Sequence, residues 1–257
     1  MRALRSLAAD TMRSFGLLTR LRVPARWFLG FDGRYDRAAR AFPLVGMAVG
    51  ALCATIGVAS AAIGLPVTIS AMLAVGGGIV ATGALHEDGL ADAADGLGGR
   101  DVERRLAIMR DSAIGVYGVI ALIGSLAFKV AAVSAVLPSP SAAFAALVAA
   151  CAVSRTVLVW LWHSTPPARV DGAAASSGRP SAGTVRMAAA IAGAPLLLGA
   201  AIVGPWPTIL ALLAAMLAGF AIRRYAMTLG GHTGDLLGAC VVLAEVGMLV
   251  ALTLGRH

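Results

Sequence analysis

Charged side chains are scarce in this chain, and their scarcity decides its class. Only 13% of the 257 residues are Asp, Glu, Lys or Arg, whereas 59% are hydrophobic and the mean hydropathy is +0.85. Soluble globular domains carry about 25% charged residues, so this composition excludes a soluble domain. It predicts an all-α fold, a polytopic integral membrane helical bundle.

Cysteine is also rare, and the positions of the three residues exclude two of its common uses. Cys53, Cys151 and Cys240 lie in separate apolar stretches, and none belongs to a C-x-x-C motif. The pattern predicts small buried hydrophobic residues. It indicates neither a disulfide framework nor a zinc site.

The first forty residues lack a continuous apolar run, so we expect them to contain no secretory signal. Apolar residues from Leu4 to Leu18 instead recur at helical spacing among several arginines. Residues 1–41 are therefore expected to form a cytoplasmic amphipathic segment. Its helix either lies in the membrane interface or packs on the protein's own loops.

About seven stretches are long enough to cross a bilayer, since a span takes about 20 apolar residues. They are 42–65, 66–85, 115–137, 142–162, 187–204, 206–222 and 236–254. Small residues dominate these stretches, and Gly46 with Gly50, together with the run Gly76, Gly77 and Gly78, predicts a close approach of helices. The chain is thus expected to be a single integral membrane domain over residues 1–257, with the transmembrane bundle in residues 42–257.

Basic residues are distributed unevenly, and their distribution predicts the topology. Eighteen of the 21 lie in four regions that alternate with short uncharged turns: before residue 42, at 100–110, at 169–186 and at 223–224. The positive-inside rule then places the N-terminus and all charged loops in the cytoplasm, and the tail with Arg256 and His257 outside. The net charge of +8 fits attraction to a lipid bilayer, so we expect no nucleic-acid partner.

The stretch HEDGLADAADGLGG at residues 86–99 is the dense acidic cluster of this basic chain. On a helix, Asp88, Asp92 and Asp95 share a sector of roughly 60°, with Glu87 to one side. At about 6 Å and an effective dielectric near 20, each pair repels by roughly 3 kcal/mol. We therefore expect a cation there, and Mg²⁺ bound by carboxylates, waters and substrate phosphates is the economical candidate. The alternative is a solvated acidic face that binds nothing.

Arginines and a glycine-rich turn lie on the same predicted membrane face as this cluster. Acidic groups that hold a metal, with arginines that hold phosphate oxygens, are typical of phosphoryl or nucleotidyl transfer. Glycines before a helix, as in GGHTGDLLGA at 230–239, let backbone N–H groups approach phosphates. The candidate phosphate-binding residues are Arg104, Arg110, Arg155 and Gly234.

Two ionisable residues lie inside the predicted spans, where an unpaired charge is costly. Lys129 is near the middle of the third span and Glu245 near the middle of the seventh. They form a structural pair or they contact substrate, and both interpretations stay open at this point. Lys129 is therefore also a candidate substrate-binding or phosphate-binding residue.

Six blocks of the sequence resemble the cobalamin synthase (adenosylcobinamide-GDP ribazoletransferase) family, in order and over nearly the whole chain. They are TRLRVPARWF at 19–28, AFPLVGMAVG at 41–50, TGALHEDGLADAADGL at 82–97, ERRLAIMRDSAIGVYG at 103–118, CAVSR at 151–155 and LGGHTGDLLGACVVLAE at 229–245. The resemblance implies a Mg²⁺-dependent, multi-pass enzyme of the cell inner membrane in cobalamin biosynthesis. Its implied partners are adenosylcobinamide-GDP, α-ribazole or α-ribazole 5'-phosphate, and the lipid bilayer. A homo-oligomer is compatible with it.

The implied reaction gives the acidic residues specific roles. The ribazole hydroxyl attacks the phosphorus nearest the cobinamide and GMP leaves, so alignment and charge neutralisation supply most of the catalysis. We expect Asp88 and Asp92 to be catalytic, and His86 or one of the carboxylates to accept the hydroxyl proton. The expected Mg²⁺ ligands are Glu87, Asp88, Asp92, Asp95, Asp111 and Asp235. The family pattern also carries Lys and Glu at the positions of Lys129 and Glu245, which favours a role at the site for both.

Two other functions fit parts of the sequence. Residues 92–100 resemble the opening of the D-x-x-D-G-x-x-A-R signature of CDP-alcohol phosphotransferases, although Gly99 replaces the Ala and the downstream G-x-x-x-D-x-x-x-D is missing. A membrane transporter would use Lys129 and Glu245 as coupling residues at the midplane. Against the transporter, the acidic cluster lies on one predicted side of the membrane and no inverted repeat is visible.

Overall fold

The computed structural model describes residues 2–169 and 176–255. Ten α-helices lie within these ranges, together with two short 3₁₀ turns and no β-strand. The helices are α1 (Arg2–Leu18), α2 (Phe42–Ala62), α3 (Val67–Thr82), α4 (Leu85–Gly96), α5 (Val102–Ile108), α6 (Val116–Val136), α7 (Pro140–Ser164), α8 (Ala182–Val203), α9 (Pro205–Thr228) and α10 (Gly234–Leu252). The tail with Arg256 and His257 lies outside the described residues.

Six of these helices, α2 and α6 to α10, are long and apolar enough to cross a membrane. The pair α3 and α4 meets the same criteria only when taken together, and it is bent by 90°. The predicted membrane helical bundle is confirmed, with seven spans if the bent pair counts as one. The 16 residues of α3 cover about 24 Å at 1.5 Å per residue.

The bend between α3 and α4 has a backbone cause. Gly83 (φ 68°) and Ala84 (φ 58°) both adopt the left-handed conformation, so α3 ends and the chain leaves in a new direction. Among the described residues, Ala84 is the only non-glycine with a positive φ. This conformation costs an L-residue roughly 1–2 kcal/mol, so contacts elsewhere along α4 must hold it in place.

The centre of the bundle is α7, most of which is buried among the other helices. Its closest neighbour is α2, because two glycines of α2 face the α7 backbone. A Cβ at Gly50 would lie 2.5 Å from the carbonyl oxygen of Leu147, and a Cβ at Gly46 would overlap the carbonyl of Cys151. The close approach predicted from Gly46 and Gly50 is confirmed. Gly77 and Gly78 of α3 also face side chains of α2, whereas a Cβ at Gly76 would meet no atom of the described residues within 4 Å.

The N-terminal helix α1 packs on the protein itself. The buried carboxylate of Asp10 pairs with Arg40 at 2.6 Å, and the hydroxyl of Ser14 donates to the carbonyl of Ala38 at 3.1 Å. Both partners belong to the 3₁₀ turn that precedes α2. This helix therefore packs on the protein's own loops, as one of the two expectations for it predicts.

The charged loops meet at one end of the bundle. The Arg20 N–H donates to the Ala81 carbonyl, which connects the residues after α1 to the end of α3. The Tyr35 N–H donates to the Ser177 carbonyl, which joins the loop before α2 to the loop before α8. The His232 N–H donates to the Pro166 carbonyl, which joins the loop before α10 to the residues after α7. The short uncharged turns 63–66, 137–139 and 203–204 lie at the other ends of the same helices. The one-sided arrangement of charge that the sequence predicts is thus present in the fold.

Candidate active site

The helix α4 carries the acidic cluster and packs directly on the start of α10. A Cβ at Gly89 would lie 2.7 Å from the carbonyl oxygen of Asp235, a distance that no real side chain adopts. On the facing helix, a Cβ at Gly238 would lie 3.3 Å from the backbone of His86. The two glycines therefore let the backbones approach and bring Asp235 to the acidic helix.

The carboxylates of Asp88, Asp92 and Asp235 lie near one another where α4 meets α10. We call this region the mouth. Asp92 interacts electrostatically with Asp235, Asp88 and Asp95, in that order of strength, and Asp235 also interacts with Asp88. Asp88 is exposed and the other two are partly buried. The helical spacing of Asp88 and Asp92 is as the sequence predicts, and α10 supplies the third acid.

The carboxylate of Asp95 has a different partner. Its two oxygens accept the backbone N–H groups of Gly115 and Gly118, at 2.7 and 2.8 Å, and so cap the first turn of α6. A side chain at either glycine would collide with this carboxylate. Asp95 thus ties the end of α4 to the start of α6, a contact that its helical position alone does not indicate.

Two further predicted ligands also bond elsewhere. Glu87 is buried and pairs with Lys129 at 3.3 Å between Oε1 and Nζ, in the interior of the bundle. Asp111 is exposed after α5 and accepts the backbone N–H of Ala113 at 3.1 Å. The six expected ligands are therefore divided among four places. Asp88, Asp92 and Asp235 lie where α4 meets α10, Asp95 caps α6, Glu87 lies in the core and Asp111 lies in a loop.

A cavity of about 290 Å³ opens at this mouth, between α1, α2, α4, α7 and α10. Its polar part is formed by His86, Asp88, Gly234 and Asp235. Its walls are apolar, and they include Leu17, Leu18, Phe42, Leu85, Leu158 and Trp162. The cavity thus suits a ligand that joins an apolar body to a polar or charged group.

The carboxylates at the mouth can be compared with what Mg²⁺ requires. In the described part of the chain, no three His, Cys, Asp or Glu side chains are close enough to hold a metal ion by themselves. Mg²⁺ in phosphate-transfer sites binds one or two carboxylates and takes its other ligands from water and substrate phosphates. Asp88, Asp92 and Asp235 offer such hard oxygen donors beside an open cavity, so they fit this ion as part of a site that substrate completes.

Two histidines lie at the same end of the molecule. His86 is buried and lines the 290 Å³ cavity. His232 is buried in the loop before α10, where Nδ1 lies 3.0 Å from the hydroxyl of Thr165. Burial lowers the pKa of His232 below its usual value. His232 thus joins the loop before α10 to the loop after α7, a structural role, whereas His86 is positioned to meet a ligand.

The candidate phosphate-binding cations occupy two different places. Arg104 is exposed on α5, and Arg110 is exposed just after it. Lys129 and Arg155 are only 6% and 3% exposed, and both pair with Glu245 inside the bundle. The pairing of Lys129 with Glu245 that the sequence offers as one alternative is confirmed, and it includes Arg155.

Some cations near the site have no sequence motif. Arg169, in the loop after α7, donates to the carbonyl of Leu106 at 2.6 Å and interacts electrostatically with Asp235. Three arginines, Arg105, Arg223 and Arg224, line a groove of about 540 Å³ with Tyr225, beside the end of α4. From the sequence alone these arginines are predicted only to be charged loop residues, because no neighbouring motif indicates which of them face the acidic helix.

Comparison with known proteins agrees with this arrangement. A model of the cobalamin-5-phosphate synthase family matches residues 10–253. The chain belongs to this family. Relatives named adenosylcobinamide-GDP ribazoletransferase are similar to it along nearly their whole length. The protein of Rhizobium etli (strain CIAT 652) is 43% identical, with 97% of this chain and 98% of that protein covered.

Two other relatives with the same name extend this result. The protein of a Sinorhizobium species is 46% identical over 95% of this chain and 96% of its own length. That of Sinorhizobium medicae (strain WSM419) is 44% identical over 99% of each chain. No solved structure matches the chain. Membership of the cobalamin-5-phosphate synthase family decides for a transferase of cobalamin biosynthesis over the phosphotransferase and transporter alternatives.

Proposed function

We propose that this protein joins adenosylcobinamide-GDP to α-ribazole, or to α-ribazole 5'-phosphate, and releases GMP. The observation that carries the proposal is that Asp88 and Asp235 line a largely apolar cavity, with the carboxylate of Asp92 beside them, in a chain of this family. An apolar body bearing a diphosphate is the kind of ligand that such a cavity fits. The product is adenosylcobalamin or its 5'-phosphate.

The reaction exchanges one P–O bond for another. The ribazole hydroxyl oxygen bonds to the phosphorus nearest the cobinamide, while the bond from that phosphorus to the bridging oxygen breaks and GMP carries the oxygen away. Asp88, Asp92 and Asp235 would hold Mg²⁺, which when bound neutralises charge on the diphosphate oxygens. The hydroxyl proton passes to His86 or to a carboxylate of this group.

In this proposal, arginines at the charged end of the bundle neutralise the rest of the negative charge on the diphosphate. Arg104 and Arg110 are exposed and free to reach a substrate above α4 and α5, and the N-terminus of α10 at Gly234 faces the cavity. Backbone N–H groups at a helix N-terminus and guanidinium groups both favour phosphate oxygens. Arg169 lies between α5 and Asp235, where it can join them.

The same proposal includes the cellular setting. The charged end of the bundle would face the cytoplasm, with the N-terminus on that side and the protein in the cell inner membrane. The clustering of arginines at this end supports the orientation. Water-soluble substrates and GMP would then enter and leave on the cytoplasmic side, while the apolar walls of the cavity are close to the lipid.

The test is a reaction of the purified protein in lipid with adenosylcobinamide-GDP and α-ribazole, with Mg²⁺ or with a chelator. Cobalamin and GMP are measured together. Formation of both in equal amounts, only with Mg²⁺, is the expected result. GMP without cobalamin, or turnover unaffected by chelation of divalent cations, would contradict it.

A further inference from the structure

Beneath the acidic mouth, four charged side chains form a chain of ion pairs in the interior of the bundle. Lys129 of α6 pairs with Glu87 of α4 at 3.3 Å and with Glu245 of α10 at 3.1 Å. Glu245 in turn pairs with Arg155 of α7. All four are buried. One continuous network therefore connects four helices, with two positive and two negative charges that balance.

The network occupies a place where charge is expensive. A buried ion pair in an apolar interior is often no more stabilising than hydrophobic residues of the same volume, whereas removing one partner is strongly destabilising. Elsewhere this bundle joins its helices through small residues, as α2 and α7 do at Gly46 and Gly50. Helix packing alone therefore does not account for four buried charges directly below the site.

The geometry of α4 gives the network a specific task. Residues on a helix point about 100° apart, and Glu87 faces the core while its neighbour Asp88 lines the cavity. The rotation of α4 about its axis that brings Glu87 to Lys129 is thus the same rotation that turns Asp88 toward the cavity. The left-handed residues Gly83 and Ala84 separate α4 from α3, so α4 is not a straight continuation of α3.

A small internal cavity beside the network also concerns α4. It measures about 30 Å³ and is lined by His86, Glu87, Lys129, Arg155 and Glu245 among others. The Nε2 atom of His86 and the Oε2 atom of Glu87 are buried and have no hydrogen-bond partner among the residues that the structure describes. A volume of this size accommodates one or two water molecules. His86 lines both this cavity and the larger one, so it forms part of the wall between network and site.

We propose that Lys129 is a positioning residue: through Glu87 it fixes the rotation of α4 and so places Asp88 and Asp92, while Glu245 and Arg155 hold its ammonium group. The effect on catalysis rests on the proposed function, but the effect on α4 does not. In this assignment Lys129 and Arg155 act below the site and do not contact phosphate.

The first experiment measures α4 directly, without turnover. Hydrogen–deuterium exchange is followed over residues 85–96 in the wild-type protein, Lys129→Met and Lys129→Arg. Lys129→Met should raise the exchange of α4 amides about tenfold or more, with α2 and α7 unchanged, and Lys129→Arg should restore much of the protection. Ser125→Ala is the matched control, because Ser125 is buried one turn earlier on α6 and its hydroxyl bonds only its own helix. Unchanged exchange of α4 in Lys129→Met would overturn the proposal.

The second experiment separates positioning from substrate binding. Lys129→Met should lower kcat about 100-fold and raise the half-saturating Mg²⁺ concentration, while the KM of adenosylcobinamide-GDP changes less than threefold. Adding Glu87→Gln to Lys129→Met should cost far less than the product of the two single losses, because the Lys129–Glu87 contact is already broken in Lys129→Met. A raised KM with unchanged kcat would instead assign Lys129 to substrate binding.

If the wild-type protein shows no transferase activity, the proposed function fails, while the exchange result still decides the role of Lys129. If Lys129→Met does not fold, Glu87→Gln and Lys129→Arg carry both measurements.

Discussion

Gly89 of α4 lies against the backbone of Asp235 on α10 so closely that a Cβ would be 2.7 Å from the Asp235 carbonyl oxygen. This contact sets the separation of the two helices that supply the carboxylates at the mouth. Since the obstacle is backbone, a side chain at this position cannot be accommodated by rotation of a neighbouring side chain. The distance between the acids of α4 and Asp235 therefore depends on Gly89, a residue without a functional side chain.

We expect Gly89→Ala to push α4 away from α10, to lower kcat at least tenfold and to destabilise the protein by about 1–3 kcal/mol. Turnover and thermal unfolding in lipid measure both effects. Gly76→Ala is the matched control, because a Cβ at Gly76 meets nothing within 4 Å and alanine favours a helix. Full activity of Gly89→Ala would show that the spacing of these helices is not critical.

Neutralising an acid at the mouth should remove catalysis and leave the fold. Asp88→Asn, Asp92→Asn and Asp235→Asn are each expected to lower kcat about 100-fold or more, because in the proposed reaction they remove charge that would hold the cation at the diphosphate. Asp111→Asn serves as control, since Asp111 is exposed and bonds only its own loop. Titration of activity with Mg²⁺ checks the assignment. Wild-type turnover in any of the three variants would exclude that residue from the metal site.

Asp95 should behave as a structural cap. Asp95→Ala leaves two N–H groups at the start of α6 without their acceptor, and we expect a loss of about 1–2 kcal/mol in unfolding free energy. Asp95→Asn retains one acceptor oxygen and should recover part of it. The half-saturating Mg²⁺ concentration measured for the active fraction should stay at the wild-type value. A large rise in the half-saturating Mg²⁺ concentration would instead show that Asp95 is a metal ligand, as the sequence predicts.

The loops joined by His232 should weaken in acid. Burial disfavours the charged imidazole, so the folded protein binds a proton less readily than the unfolded chain, whose histidine titrates near about 6.5. The stability from this residue is thus present above about pH 6.5 and falls as the pH drops below it. The charged group that faces it is Arg179, which opposes protonation as well. Hydrogen exchange of residues 229–233 across this range measures the effect, which should be absent in His232→Asn.

The sequence predicts the local part of the site and misses the part that depends on the bend. Asp88 and Asp92 share a face because they are four residues apart on one helix, a relation that helical periodicity alone provides. Asp95 is on that helix too, but its partner is the start of α6, and the direction of α4 toward α6 follows from the left-handed pair at 83–84. Nothing in the composition of the TGAL segment predicts a right-angle turn.

Long-range pairing shows the same limit in the core. The cost of buried charge predicts that Lys129 and Glu245 have partners, and this is confirmed. That Glu87 turns inward to join them could not be predicted, because it stands in a run of acids that all look suited to a metal. The sequence predicts Arg155 as a phosphate ligand for the same reason, because a cation that pairs with an acid and a cation that binds a phosphate look alike in a sequence.

The distance along the chain between Arg155 and Glu245 also has a consequence for biogenesis. The arginine enters the bilayer with α7, and its carboxylate partner is synthesised 90 residues later. An arginine at the centre of an apolar helix costs about 2.5–3.5 kcal/mol on insertion, and its carboxylate partner is absent until α10 arrives. A nascent chain that ends before residue 245 therefore contains Arg155 in its central helix without Glu245 to balance its charge.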